Sequence, residues 1–76
     1  MKEVKIKLTT FDNVKRFLKS VSACKYDIDL QSGRYAVNAK STMGILSLDL
    51  SQPLTMVIYS DDCEKLISEL NDYIVE

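Results

Sequence analysis

The chain has 76 residues, a formal net charge of −1 and no histidine. A domain near this size buries only ~60% of the surface its unfolded chain exposes, which leaves room for one thin core and no deep active-site cavity. Without imidazole, His-based triads, His-ligated zinc sites and phosphohistidine chemistry are excluded. Ten Lys and Arg against eleven Asp and Glu leave no basic footprint for nucleic acid, so a protein partner is the expectation. Residues Met1 to Lys7 carry charges instead of an apolar signal core, and Cys24 and Cys63 are too few for a disulfide scaffold. Together these point to a cytosolic protein with reduced thiols. No apolar run approaches the roughly 20 residues needed to span a bilayer.

Val4, Ile6 and Leu8 alternate with Lys5, Lys7 and Thr9, the period of a half-buried first strand. From Thr10 the period changes. Val14, Phe17, Leu18 and Val21 fall at i, i+3, i+4 and i+7, predicting a helix over roughly residues 12 to 24. Thr10 or Asp12 supplies its N-cap. Tyr26, Ile28 and Leu30, then a turn at Gln31-Ser32-Gly33-Arg34, then Tyr35 and Val37 read as a β-hairpin.

Ser41 opens a short helix as its N-cap. Met43, Ile45, Leu46 and Leu48 are too many apolar groups for so short a helix to bury. Ile45 and Leu48 go to the core, which leaves Met43 and Leu46 on an exposed face. Beyond Ser51-Gln52-Pro53, Leu54, Met56 and Ile58 alternate with Thr55, Val57 and Tyr59 in the last strand. Asp61 then stands three residues before Glu64 in capping-box spacing, and Leu66, Ile67, Leu70, Tyr73 and Ile74 form the stripe of a C-terminal helix. The order is βαββαβα over one domain, residues 1–76. This is an α+β open-faced sandwich with helices on one face of an antiparallel sheet.

Other groups read blandly. Cys63 and Cys24 are small packing residues, because Asp61, Asp62 and Glu64 oppose a thiolate at Cys63. Asp27 and Asp29 form a solvated face without the further oxygen ligands that a cation needs. Lys15, Arg16 and Lys19 form a basic stripe that serves solubility first and attraction of acidic partners second. No metal or cofactor is expected.

The central block, Val37-Asn38-Ala39-Lys40-Ser41-Thr42-Met43-Gly44-Ile45-Leu46-Ser47-Leu48, closely resembles the serine-site segment of HPr, the small phosphocarrier of the bacterial sugar phosphotransferase system. Lys25-Tyr26-Asp27 and Gly33 match its hairpin, and the likeness covers nearly the whole chain. It implies strand order 1-4-2-3 and a protein that is not an enzyme. HPr carries phosphate on the histidine of a Gly-Leu-His-Ala-Arg-Pro-Ala motif at the start of its first helix. This chain has Thr10-Phe11-Asp12-Asn13-Val14-Lys15-Arg16 there. Laid on without gaps, Asp12 falls on the histidine and Val14 on the arginine, so the phosphohistidine route is closed.

The resemblance further implies Ser41 as a regulatory phosphorylation site read by HPr kinase/phosphorylase. Lys40, Thr42, Met43 and Leu46 then face that kinase and a catabolite-control transcription regulator, with Thr42 in place of a usual Ile. In losing the histidine and keeping the serine, the chain is similar to the catabolite-repression HPr-like proteins. Two other readings stand beside this one. The first is a constitutive protein-binding module on a degenerate fold. The second is phosphotransfer through Asp12, for which no metal-binding companion is evident and whose first reading is as an N-cap.

Overall fold

The computed structural model describes residues 1–75. Its elements are β1 (Lys2–Ile6), α1 (Phe11–Ser22), β2 (Ile28–Ser32), β3 (Tyr35–Asn38), α2 (Thr42–Leu46), β4 (Leu54–Ile58) and α3 (Glu64–Glu69), followed by a 3₁₀ turn at Asn71–Tyr73. The four strands are antiparallel in the order β1-β4-β2-β3, as the residue pattern and the resemblance led one to expect.

Alternation sorts the side chains. Ile6 and Leu8 around β1, Ile28 and Leu30 of β2, and Leu54, Met56 and Ile58 of β4 point to the helix side and are buried. Val14, Phe17 and Val21 come down from α1 to meet them, with Ile45 from α2 and Leu66 from α3. Each such side chain withdrawn from water contributes roughly 1.5–3 kcal/mol, opposed by ordering entropy. The opposite face is polar, as its register partners show: Glu3 with Val57, Val57 with Asp29, and Asp29 with Asn38. Val57 is nonetheless only 3% exposed, an apolar residue covered on the water side of the sheet.

The hairpin is tighter than the four-residue turn expected from sequence. Ser32 pairs with Tyr35, so the loop is Gly33-Arg34 alone. Gly33 takes φ +59°, the left-handed conformation that two-residue hairpin loops need and that glycine adopts without a Cβ penalty. Tyr26 and Asp27 lie before β2 instead of inside it, although the Asp27 carbonyl still accepts the Tyr59 amide at 3.0 Å.

One open alternative is resolved and two further expectations are corrected. The N-cap of α1 is Thr10, not Asp12: its side chain accepts from the Asn13 amide, and Asn13 Oδ1 accepts the Thr10 amide at 3.3 Å. This reciprocal box starts the helix two residues ahead of Asp12, which therefore falls inside the first turn. Asp61 does not cap α3, whose N-cap position is Cys63 and carries no side-chain bond. Asp61 pairs instead with the Met1 amino group at 3.1 Å. The final helix also stops at Glu69, because Ile74 leaves the helical path to bridge Ile6 on the outer edge of β1. Lys7 N–H donates to the Tyr73 carbonyl and Val75 N–H to the Lys5 carbonyl, so sheet bonds replace the helical ones. Among the described residues, no helix is long and apolar enough to cross a membrane.

Candidate functional site

The serine segment is built outward from the end of β3. Asn38 Oδ1 accepts the Lys40 amide at 2.8 Å and the Asn38 carbonyl accepts the Ser41 amide at 2.9 Å, a side-chain turn of the kind Asn favours. Ala39, buried between them, donates its amide to the Ile28 carbonyl of β2. Ser41 itself is extended, at φ −100° and ψ 112°, and its hydroxyl accepts the Gly44 amide at 3.1 Å. It is thus the N-cap of α2, as expected.

Gly44 lets the segment sit this close. A Cβ there would lie 3.1 Å from Val37 Cβ and 3.3 Å from Ser41 Oγ. Ile45 and Leu48 are buried, whereas Met43 is 82% and Leu46 47% exposed. The division of α2 into a core face and an outward apolar pair is the one expected from its crowding. Thr42 is exposed beside them, and Lys40 and Ser41 are half-buried.

At the start of α1, Asp12 is exposed in the first turn and Val14 is fully buried. A buried valine is a core position, so the residue laid on the family's arginine has no route to the surface. Phe11 is 56% exposed, and Lys15 Nζ stands 5.1 Å above its ring, within cation–π range. Arg16 and Lys19 are exposed on the same helix. Among the described residues, no group of three His, Cys, Asp or Glu side chains is placed to hold a metal.

Two features were not foreseen from the residues. Lys40 Nζ, expected to face a partner, donates to the Cys24 carbonyl at 2.9 Å. The two are sixteen positions apart, and no local pattern reports such a bond. A cleft of about 390 Å³ also opens between the end of α1 and α3, with Cys24, Tyr26, Lys65 and Leu66 among its walls. Burial, reinforced by a hydrogen bond with Cys24, pushes the Tyr26 phenol above its ordinary range. Cys24 Sγ donates to the Ser20 carbonyl at 3.6 Å, and Cys63 is buried; both thiols are free.

The four-stranded sheet with helices on one face and a capped serine helix leading out of β3 define an HPr-like α+β protein. Residues 12–76 match the family model described as the PTS HPr component phosphorylation site. The chain therefore belongs to the HPr family, whose members are phosphocarriers rather than enzymes and act through other proteins of the phosphotransferase system. It is similar to HPr-C-His from Thermoanaerobacter tengcongensis, a solved structure 33% identical with a TM-score of 0.78, covering 95% of this chain and 89% of that one. It is also similar to the phosphocarrier protein HPr from Bacillus anthracis str. Ames, at 26% identity and a TM-score of 0.70, covering 96% of this chain and 93% of that one. No curated protein matches it significantly in sequence.

Proposed function

We propose that this chain is a regulatory or adaptor member of the HPr family, one that takes phosphate on Ser41 and not on a histidine. The observation that carries the reading is the geometry of Ser41, a half-buried cap whose hydroxyl holds the Gly44 amide beside the exposed Met43 and Leu46. Phosphorylation adds about −1.5 to −2 charges and three acceptor oxygens. Placed at the start of α2, that charge meets backbone amides instead of like charge, since the first turn of α2 has no acidic residue. The switch alters the surface and leaves the fold in place. An apolar pair next to a reversible charge lets a partner read both together, and methionine suits adaptable contact.

The partners proposed on the strength of the family resemblance are HPr kinase/phosphorylase and a catabolite-control transcription regulator, meeting Thr42, Met43 and Leu46. A second reading is favoured by the same cap. Ser41 already has a structural task, so the module is also able to bind through Met43 and Leu46 with no phosphate at all. Intact-mass spectrometry after incubation with ATP and HPr kinase separates the two. One phosphate gained by the parent chain and none by Ser41→Ala supports the switch. No gain under conditions that modify an ordinary HPr overturns it and leaves the constitutive module.

A further inference from the structure

Lys40 is tied at both ends. Its amide donates to Asn38 Oδ1 on the β3 side, and its ammonium crosses to the Cys24 carbonyl at 2.9 Å in a partly buried bond. Cys24 directly follows Ala23, the C-cap of α1. The ammonium therefore sits just past the C-terminal end of a 12-residue helix, on the side where the helix dipole favours a cation. Ordering a long lysine side chain is entropically unfavourable, and the partly buried 2.9 Å bond offsets that cost while tying Lys40 to the segment that follows α1. Attached to Lys40 is Ser41, whose carbonyl accepts the Ile45 amide at 3.0 Å and whose hydroxyl accepts the Gly44 amide.

We propose that Lys40 is a positioning residue for Ser41: its bond to the Cys24 carbonyl pins the serine turn against the end of α1 and sets where the hydroxyl is presented to a modifying enzyme. The part that concerns modification rests on the reading of Ser41 given above; the pinning itself does not. A strut of this kind differs from a partner contact in a measurable way. Losing a partner contact weakens docking, whereas losing the strut leaves docking through Met43 and Leu46 intact and misplaces the hydroxyl.

Lys40→Met keeps the stem and removes the donor, and Lys40→Arg keeps a donor. Amide hydrogen exchange should show Gly44 and Ile45 opening on the order of tenfold faster in Lys40→Met, beyond any change at Met56 in the central strand. Lys40→Arg should return them toward the parent. With ATP and HPr kinase, Lys40→Met should lower kcat with KM little changed. Exchange at Gly44 and Ile45 that is unchanged, or that rises only as much as at Met56, overturns the proposal. So does a rise in KM at constant kcat, which marks a partner contact. If the parent chain takes no phosphate, the reading of Ser41 fails, and the exchange comparison decides the strut without it.

Discussion

Tyr59 Oη donates to Asp29 Oδ2 at 3.0 Å, joining the residue just after β4 to β2 on the water-facing side of the sheet. The carboxylate holds the phenol proton, so this bond first, and partial desolvation second, raises the Tyr59 pKa above its ordinary 10.0. A group with a raised folded pKa stabilises the fold fully below the unfolded value and loses that contribution as pH climbs through the folded one. Ultraviolet titration of the four tyrosines should therefore show late-ionising phenols, Tyr59 and Tyr26. Asp29→Asn should bring Tyr59 down toward the ordinary value and leave Tyr26 where it is. Tyr59 ionising at the same pH in both proteins would disprove the bond.

At Gly44, two effects oppose each other. Alanine gains about 1 kcal/mol in helix propensity. Its Cβ would meet Val37 Cβ at 3.1 Å and Ser41 Oγ at 3.3 Å, and overpacking of that kind costs about 1–3 kcal/mol. Gly44→Ala is expected to lower stability by about 1 kcal/mol in urea denaturation. The deficit should shrink when Val37→Ala is added, and a more stable single variant would show that the approach is looser than described.

The box at the head of α1 predicts an ordering of variants. Thr10→Ala should cost about 1 kcal/mol. Asn13→Ala should cost a similar amount, and the double variant less than their sum because the two residues share the same bonds. Asp12→Ala should cost less than half as much as Thr10→Ala, since only its charge near the helix start is lost. Melting of the three single variants and the double one checks the order, and Asp12 ranking first would make it the cap.

Ser41→Ala removes the cap of α2 and should cost about 1 kcal/mol before any modification is considered. Ser41→Asp, whose carboxylate also caps, should stay within about 0.5 kcal/mol of the parent. Equal loss in both would mean that the hydroxyl contributes by something other than its bond to Gly44.

Phe17 and Met43 mark the two extremes of exposure. Phe17 is fully buried, and Phe17→Ala should cost about 3–5 kcal/mol, enough to unfold much of a small domain. Met43→Ala should change stability by less than about 0.5 kcal/mol. Denaturant midpoints compare the two, and a large loss at Met43 would show that it packs instead of standing free for a partner.

Strand and helix periods were legible where one face is buried, as at Val14, Phe17 and Val21 or at Leu54, Met56 and Ile58. The serine cap and the outward pair of α2 were legible for the same reason: a short helix cannot bury four apolar groups. The end of the chain misled because Leu66, Leu70, Tyr73 and Ile74 keep helical spacing while Ile74 takes a partner in Ile6. Tertiary hydrogen bonding there overrides a periodic pattern, and β-branched Ile74 and Val75 suit the sheet. Asp61 had the right spacing for a cap and the wrong neighbour, since spacing does not report the Met1 amino group. The Lys40 strut lay beyond reach because its acceptor is a backbone carbonyl, which every residue possesses and no side chain announces.

The pairing of residues 73 to 75 with β1 also covers one edge of the sheet. Strand edges are templates for unwanted growth, and charge or cover is the usual protection against it. Here the segment around Ile74 lies along the outer margin of β1, while the opposite margin is the short β3, four residues long and turned at once into the serine segment. A sheet guarded on one side by its own tail and cut short on the other is a poor seed for stacking end to end. Growth of the sheet by edge-to-edge addition is thereby disfavoured at both margins.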